Sequence, residues 1–143
     1  MADSPFASAS EHATSVRKKE VSCRELADLY IGRIHKHNPA LHSIVISNEA
    51  DAIRTACERD DDLTHNIVRG PLHGVPVTVK EAFNLTGLKT TVNFPQLKNN
   101  VAATDALIVK RLKEAGATIL GKTSWRITRV SGRSIRPRTI PMM

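Results

Sequence analysis

The sequence predicts an α/β fold, and three observations lead to it. Ser22 and Glu25 match a capping box, in which the two side chains satisfy free N–H groups at a helix start. Residues 75–79 form a short β-type run in which Val77 and Val79 share one face. Residues 117–120 are predicted to be a buried strand directly after a helix, which is the helix-to-strand step of an α/β sheet.

The first half of the chain predicts two helices and one strand. The helix that begins after Ser22 is expected to end at Asn38-Pro39, because proline disfavours helical geometry in the residue before it. Residues 43–46 are typical of a short strand, and a second helix follows it. Three aspartates at 60–62 lie near the end of that second helix, and we expect a solvated charge run there rather than a metal site.

The second half predicts a loop, a helix and a strand. Residues 84–100 hold Gly, Pro and Asn residues and are expected to be mostly loop. Thr104 is expected to cap the next helix, with Asp105 at its positive end and Gly116 just beyond its last residue. The strand that follows is expected to end at Gly121. The expected buried stripe of the helix consists of Leu107, Ile108 and Leu112.

Lys80 is the candidate functional residue, since it ends the β-type run after a segment rich in Gly and Pro. A lysine at the end of a buried strand is costly unless it is paired or used. In a desolvated pocket a lysine can lose its proton and act as a base. Taken alone, Lys80 is more simply a solvated lysine at a strand end, because long charged side chains usually reach water.

Four stretches in a fixed order favour the functional interpretation of Lys80 over the solvated one. Residues 70–81 (GPLHGVPVTVKE) are followed by residues 87–91 (GLKTT), by a helix that opens at Thr104-Asp105-Ala106, and by residues 117–124 (ATILGKTS). From about residue 21 to 124 the chain thereby resembles the amidase signature family, which has GPLHGVPVxxKD, G-x-x-TT and GAxxxGKTN elements in the same order. Four motifs at family-like spacing are far more specific than any one of them.

The resemblance implies the N-terminal portion of the amidase-signature fold, a mixed sheet covered by helices, here incomplete. It also implies a hydrolase of amide carbon–nitrogen bonds with a Ser–cis-Ser–Lys triad and no cofactor, in which Lys80 is the catalytic lysine. The family's two serines lie in a Gly/Ser-rich stretch that the 143 residues do not contain, so no role is transferred to Ser124, Ser131 or Ser134. We therefore expect this chain to be inactive alone.

Thr90 and Thr91 are candidates for substrate binding, because the resemblance places their segment near the active site. The alternative is that they are solvent-facing turn residues. Lys122 lies in the last motif and is a second lysine at a predicted strand end, and we expect it to be structural or a charge that lines the site. His73 lies in the loop before the lysine strand and is expected to be a hydrogen-bonded loop histidine rather than a metal ligand.

The organisation along the chain divides it into three parts. Residues 1–20 are a disordered or short helical segment, residues 21–124 a partial amidase domain, and residues 125–143 an atypical basic tail. Residues 1–124 carry 16 Lys and Arg against 14 Asp and Glu, so +2 of the total +7 belongs to them and the rest to five arginines of the tail. We interpret the tail as out of frame; an RNA-binding arm is the alternative.

Other classes of function receive little support. The chain has no dinucleotide or phosphate-loop motif, and Cys23 and Cys57 make neither a zinc pattern nor a disulfide framework. No apolar run of 18 residues is present, so a cytoplasmic protein without membrane contact is expected. The expected partner is a small-molecule amide; nucleic acid is not expected, and the oligomeric state is open. A non-catalytic binding module derived from the same fold remains the alternative function.

Overall fold

The protein folds as a small mixed sheet with helices packed on both faces. The computed structural model describes residues 4–124. Its elements in chain order are α1 (Ala9–Arg17), α2 (Cys23–Leu41), β1 (Ile44–Ser47), α3 (Glu49–Thr64), β2 (Pro76–Lys80), a 3₁₀ turn (Pro95–Leu97), α4 (Leu107–Glu114) and β3 (Thr118–Thr123). The α/β class predicted from the sequence is therefore confirmed, and the segment 1–20 contains a short helix.

The strand order is β1-β3-β2, so β3 is the central strand. It pairs antiparallel with β1 and parallel with β2. The parallel pairing contains a bulge, since Val77 pairs with Ile119 and Thr78 with Gly121. Leu120 is the extra residue on β3, and such an insertion changes which face the following side chains occupy.

Gly121 lies inside β3, so the prediction that it ends the strand is wrong. A Cβ atom at this position would lie 2.6 Å from the carbonyl oxygen of Ile46 on β1. The glycine is there because only a bare backbone lets β1 approach this closely. The strand continues through Lys122 to Thr123.

Two apolar clusters hold the helices to the sheet. The first lies between α1, α2 and α3 and receives Leu120 from the sheet. The second lies under α4 and receives Ile119 and Val79. The side chains of the successive residues Ile119 and Leu120 therefore pack on opposite faces of the sheet, as expected for a strand buried on both sides. The fully buried members of the first cluster are Val16, Cys23, Leu26, Ala27, Ala52 and Ala56.

Helix α2 begins where the sequence predicts and ends later. The Ser22 hydroxyl accepts from the Glu25 N–H at 3.0 Å, and the Glu25 carboxylate accepts from the Ser22 N–H at 2.8 Å, which confirms the capping box. The helix continues through Pro39 to Leu41. Proline is tolerated there because it removes only one hydrogen bond near the helix end.

Helix α4 begins at Leu107 rather than after Thr104. The Asp105 carboxylate does not face the helix start; it accepts from the N–H and the hydroxyl of Thr86, both at 2.7 Å, and from the Lys113 ammonium. The stripe prediction is also wrong in part, because Val109 is the fully buried residue, whereas Leu107 and Ile108 are 65% and 44% exposed. Gly116 follows the helix with φ 90°, as predicted.

The three aspartates are not a solvated run. Asp60 accepts from the backbone N–H groups of Cys23 at 2.7 Å and Arg24 at 3.0 Å, so it adds a second carboxylate at the start of α2. Asp62 is only 8% exposed, whereas Asp61 lies in water. The periodicity of α3 turns the outer two residues of this run toward neighbouring parts of the chain.

Asp62 forms the centre of an ion triad. Its carboxylate lies 2.9 Å from the Arg59 guanidinium and accepts two hydrogen bonds from Arg69, at 2.7 and 2.8 Å. These bonds to Arg69, together with the charge of Arg59, hold the pKa of Asp62 below its ordinary value. Because the folded-state pKa is lowered, the stabilisation is present at neutral pH and is lost as the pH falls through that pKa.

Replacing Asp62 with Asn is expected to lower the free energy of unfolding at pH 7 by about 2 kcal/mol, since Arg59 loses its buried partner. The deficit should shrink as the pH falls from 7 to 3, because the wild type then loses the same charge. Urea titrations at pH 7, 4 and 3 measure both effects. Asp61→Asn, at an exposed neighbouring position, is the matched control and should leave the stability unchanged. A deficit that stays constant with pH would contradict the assignment.

Candidate functional site

Lys80 lies where the carboxyl ends of two parallel strands meet. It is the last residue of β2 and pairs with Thr123, while Val79 pairs with Lys122. Lys80 is exposed, whereas Val79 and the following Glu81 are 5% and 3% exposed. Paired residues share a face and successive residues alternate, so Lys80 and Lys122 lie on opposite faces of the sheet.

Glu81 is a buried carboxylate with a full set of hydrogen bonds. Its side chain accepts from the backbone N–H and the hydroxyl of Thr91 and, at 2.9 Å, from the backbone N–H of Val92. Its own N–H donates to the Thr123 carbonyl at 2.9 Å. Two successive N–H groups that point at one carboxylate form an anion-binding concavity of the backbone, here occupied from within the chain.

Lys122 is a fully buried lysine on the face of the sheet that α4 covers. Its ammonium donates to the Lys89 carbonyl at 2.6 Å and to the Thr90 hydroxyl at 2.8 Å. Burial lowers the pKa of Lys122, and the nearby charge of Glu81 acts in the opposite direction. A buried charge is tolerated when it is hydrogen-bonded and faces an opposite charge, and Lys122 meets both conditions.

Thr90 and Thr91 are not solvent-facing turn residues. Thr90 is 5% exposed, and its hydroxyl is used by Lys122. The Thr91 hydroxyl donates to Glu81 and accepts from the Asn93 N–H at 3.3 Å. The hydroxyl groups of both threonines therefore bind buried charged residues of the chain, and a contact between either threonine and a substrate stays a prediction.

His73 behaves as the sequence predicts for a loop histidine. It is fully buried, its Nδ1 accepts from the Arg69 N–H at 3.0 Å, and its Nε2 faces the Arg59 carbonyl at 2.9 Å. Since a carbonyl only accepts, Nε2 carries the proton. Both ring nitrogens are thus occupied by the backbone, and the ring ties the loop before β2 to α3.

Other kinds of site are not found within residues 4–124. This range holds no group of three or more His, Cys, Asp or Glu residues placed to bind a metal ion. Cys23 is buried, and this burial raises the pKa of its thiol, whereas Cys57 is exposed. None of the helices in the same range is both long and apolar enough to cross a bilayer.

Two clefts stand out in the part of the chain that the structure describes, and Lys80 lines neither. One has a volume of about 220 Å³ and lies between α3 and the start of β3. The other, about 390 Å³, lies between the second half of α2 and β1. Lys80 is therefore an exposed residue at the carboxyl end of β2 that belongs to neither cleft.

Comparison with known proteins identifies the family. The family model described as Amidase matches residues 25–137. An acylamidase of Rhodococcus erythropolis is 37% identical over 117 residues, which are 82% of this chain and 24% of the relative. An indoleacetamide hydrolase of Bradyrhizobium diazoefficiens is 32% identical over 117 residues, which are 82% of this chain and 22% of the relative.

The fold leads to the same class of protein. The structure of a peptide amidase from Stenotrophomonas maltophilia superposes with a TM-score of 0.76 at 30% identity, covering 83% of this chain and 25% of that one. The chain belongs to the amidase family, and it spans about a quarter of the length of the relatives that it matches.

The match extends past residue 124, where the four sequence motifs end, into the arginine-rich tail. Residues 125–143 lie outside the described part of the chain. Both interpretations of the tail, as an out-of-frame segment or as an RNA-binding arm, therefore stay predictions.

Proposed function

We propose that residues 21–124 are part of an amide carbon–nitrogen hydrolase in which Lys80 is the base of a Ser–cis-Ser–Lys triad. The observation that supports this most is the place of Lys80, an exposed side chain between two buried residues at the carboxyl end of a parallel strand. Ligands of α/β sheets bind at this end of the strands. The substrate that we propose is a small-molecule amide, as the names of the relatives suggest.

In the proposed reaction Lys80 takes a proton by way of a bridging serine from a second serine. The oxygen of that second serine forms a bond to the amide carbon, the carbon–nitrogen bond breaks, and the departing nitrogen takes the proton. Water then hydrolyses the acyl-enzyme ester. A serine hydroxyl is a weak nucleophile, which is why the reaction needs an adjacent base.

We further propose that the 143-residue chain does not hydrolyse amides by itself, because it contains no Gly/Ser-rich stretch that could supply the two serines. The purified chain is therefore expected to release no amine from simple amides such as acetanilides. Turnover by the purified chain that disappears in Lys80→Ala would contradict this part of the proposal.

A chimera tests the proposed role of the segment. Residues 21–124 replace the matching quarter of the Rhodococcus erythropolis acylamidase, whose own downstream sequence stays in place. We expect the chimera to hydrolyse an amide that the parent enzyme cleaves. A smaller chimera that carries only residues 70–91 guards against a misfolded product. A folded smaller chimera without turnover would overturn the proposal.

A further inference from the structure

The segment 89–92 is fixed to the carboxyl end of the sheet by two buried charges of opposite sign. Glu81 lies directly after Lys80 and is 3% exposed, and Lys122 on β3 is fully buried. Glu81 binds the Thr91-Val92 part of the segment, and Lys122 binds its Lys89-Thr90 part. The two charged residues thus hold one short piece of chain from two neighbouring strands.

The segment leads into a strained turn that needs such support. Val92 and Asn93 both have left-handed backbone conformations, with φ of 49° and 59°. A β-branched residue rarely adopts this conformation, which costs about 1–3 kcal/mol and persists only where the surrounding structure enforces it. The Glu81 carboxylate, which accepts the N–H of Val92 itself, is one of the groups that hold this turn, together with the Thr91 hydroxyl, which accepts the N–H of Asn93.

The same carboxylate fixes the backbone from which Lys80 projects. Glu81 is held at its N–H by the Thr123 carbonyl and at its side chain by three donors. On the other side of Lys80, Val79 is buried and paired with Lys122. The exposed Lys80 side chain therefore starts from a backbone that is anchored immediately before and immediately after it.

We propose that Glu81 is the positioning residue for Lys80, and that Lys122 assists it by holding the same segment from β3. The assignment rests on the proposed function only in one respect, namely that Lys80 is the catalytic base. Glu81 does not contact the reacting atoms; it fixes the end of β2 so that the Lys80 amine is presented in one direction. Catalytic groups need this kind of support, because small displacements lower the rate strongly.

The experiment measures the Lys80 amine itself in the full 143-residue chain. A limiting amount of an acylating reagent, acetic anhydride, labels the lysines, and peptide mass spectrometry gives the labelling of Lys80 relative to Lys18. Lys18 is the internal reference because it is 64% exposed and lies at the end of α1. In Glu81→Gln we expect this ratio to change by about threefold, which corresponds to about 0.7 kcal/mol in an activation barrier.

Asp105→Asn is the matched control. Asp105 also holds a loop through a backbone N–H and a hydroxyl, both of Thr86, and it also faces a lysine, Lys113. Loosening the structure at Asp105 is expected to lower stability while leaving the Lys80 ratio unchanged. A merely structural role for Glu81 would give both variants the same result.

A second variant keeps the test decisive if Glu81→Gln does not fold. Thr91→Val removes one hydrogen bond to Glu81 and preserves the shape of the side chain, and it should change the ratio in the same direction by less. An unchanged ratio in a folded Glu81→Gln chain, with faster hydrogen exchange at Thr91 and Val92, would overturn the assignment. No hydrolysis is measured, so this result is independent of whether the chimera is active.

Discussion

Replacing Lys80 with methionine in the chimera that carries residues 21–124 is expected to lower kcat/KM by about a thousandfold. This is the middle of the range for the loss of a general base. Methionine keeps most of the volume of the side chain and removes the group that accepts the proton. The serines of the parent enzyme stay in place, so the loss measures the lysine alone. The decrease should appear in kcat, because the proton moves in the chemical step and not on binding.

Lys110→Met is the matched control for this variant. The Lys110 side chain is 67% exposed on α4 and has no place in the proposed chemistry, so its removal should leave kcat/KM unchanged. Steady-state kinetics on one amide substrate compare the two variants. A Lys80→Met chimera that retains most of its activity while it remains folded would remove Lys80 from the mechanism.

Gly74→Ala is expected to destabilise the protein by about 3 kcal/mol, from the left-handed backbone conformation and from overpacking together. Gly74 has φ 72°, and a Cβ atom there would lie 2.1 Å from the Cys23 sulfur and 2.9 Å from its Cβ. Cys23 is itself fully buried at the start of α2, so it has no room to move away. The loop before β2 would have to separate from α2, and thermal or urea unfolding measures the loss.

Gly87→Ala separates the two causes. Gly87 has a similar φ of 82°, but nothing lies within 4 Å of a Cβ built on it. Its substitution should therefore show the conformational cost alone, about 1–2 kcal/mol. If both variants lose the same stability, the close approach of Gly74 to Cys23 has no energetic weight and the explanation given for this glycine is wrong.

Local signals predicted much of the fold. The capping box at Ser22 and Glu25 lies within four residues, and the left-handed glycine at 116 follows from the end of a helix pattern. The start of α4 was mispredicted because Thr104-Asp105 has the chemistry of a cap, whereas Asp105 binds Thr86, which is 19 residues earlier in the chain. A short-range sequence pattern cannot show that a distant residue such as Thr86 will bind the carboxylate in place of the helix start.

The candidate site could also be predicted only in part. The position of Lys80 at the end of a strand could be predicted, because a charge at the end of a β-type run is visible in the sequence; its catalytic role stays a prediction. The structural part played by Glu81 was missed, since an acidic residue next to a lysine usually lies in water. The hydrogen bonds that Glu81 accepts when buried come from Thr91 and Val92, ten and eleven residues later. The signal that could have identified it is the Lys80-Glu81 pair at the end of a strand that otherwise carries no charge.

The extra residue in β3, Leu120, places Lys80 and Lys122 on opposite faces of the sheet. In an unbroken register Leu120 would pair with Thr78, and Lys122 would move up to stand directly beside Lys80. Two ammonium groups facing each other across neighbouring strands repel, and that repulsion would fall on the amine proposed to accept a proton. Because Leu120 is inserted, Lys80 pairs with Thr123 instead. The ammonium group of Lys122 then lies on the opposite face of the sheet from Lys80. A break in the regularity of the strand thus keeps like charges apart.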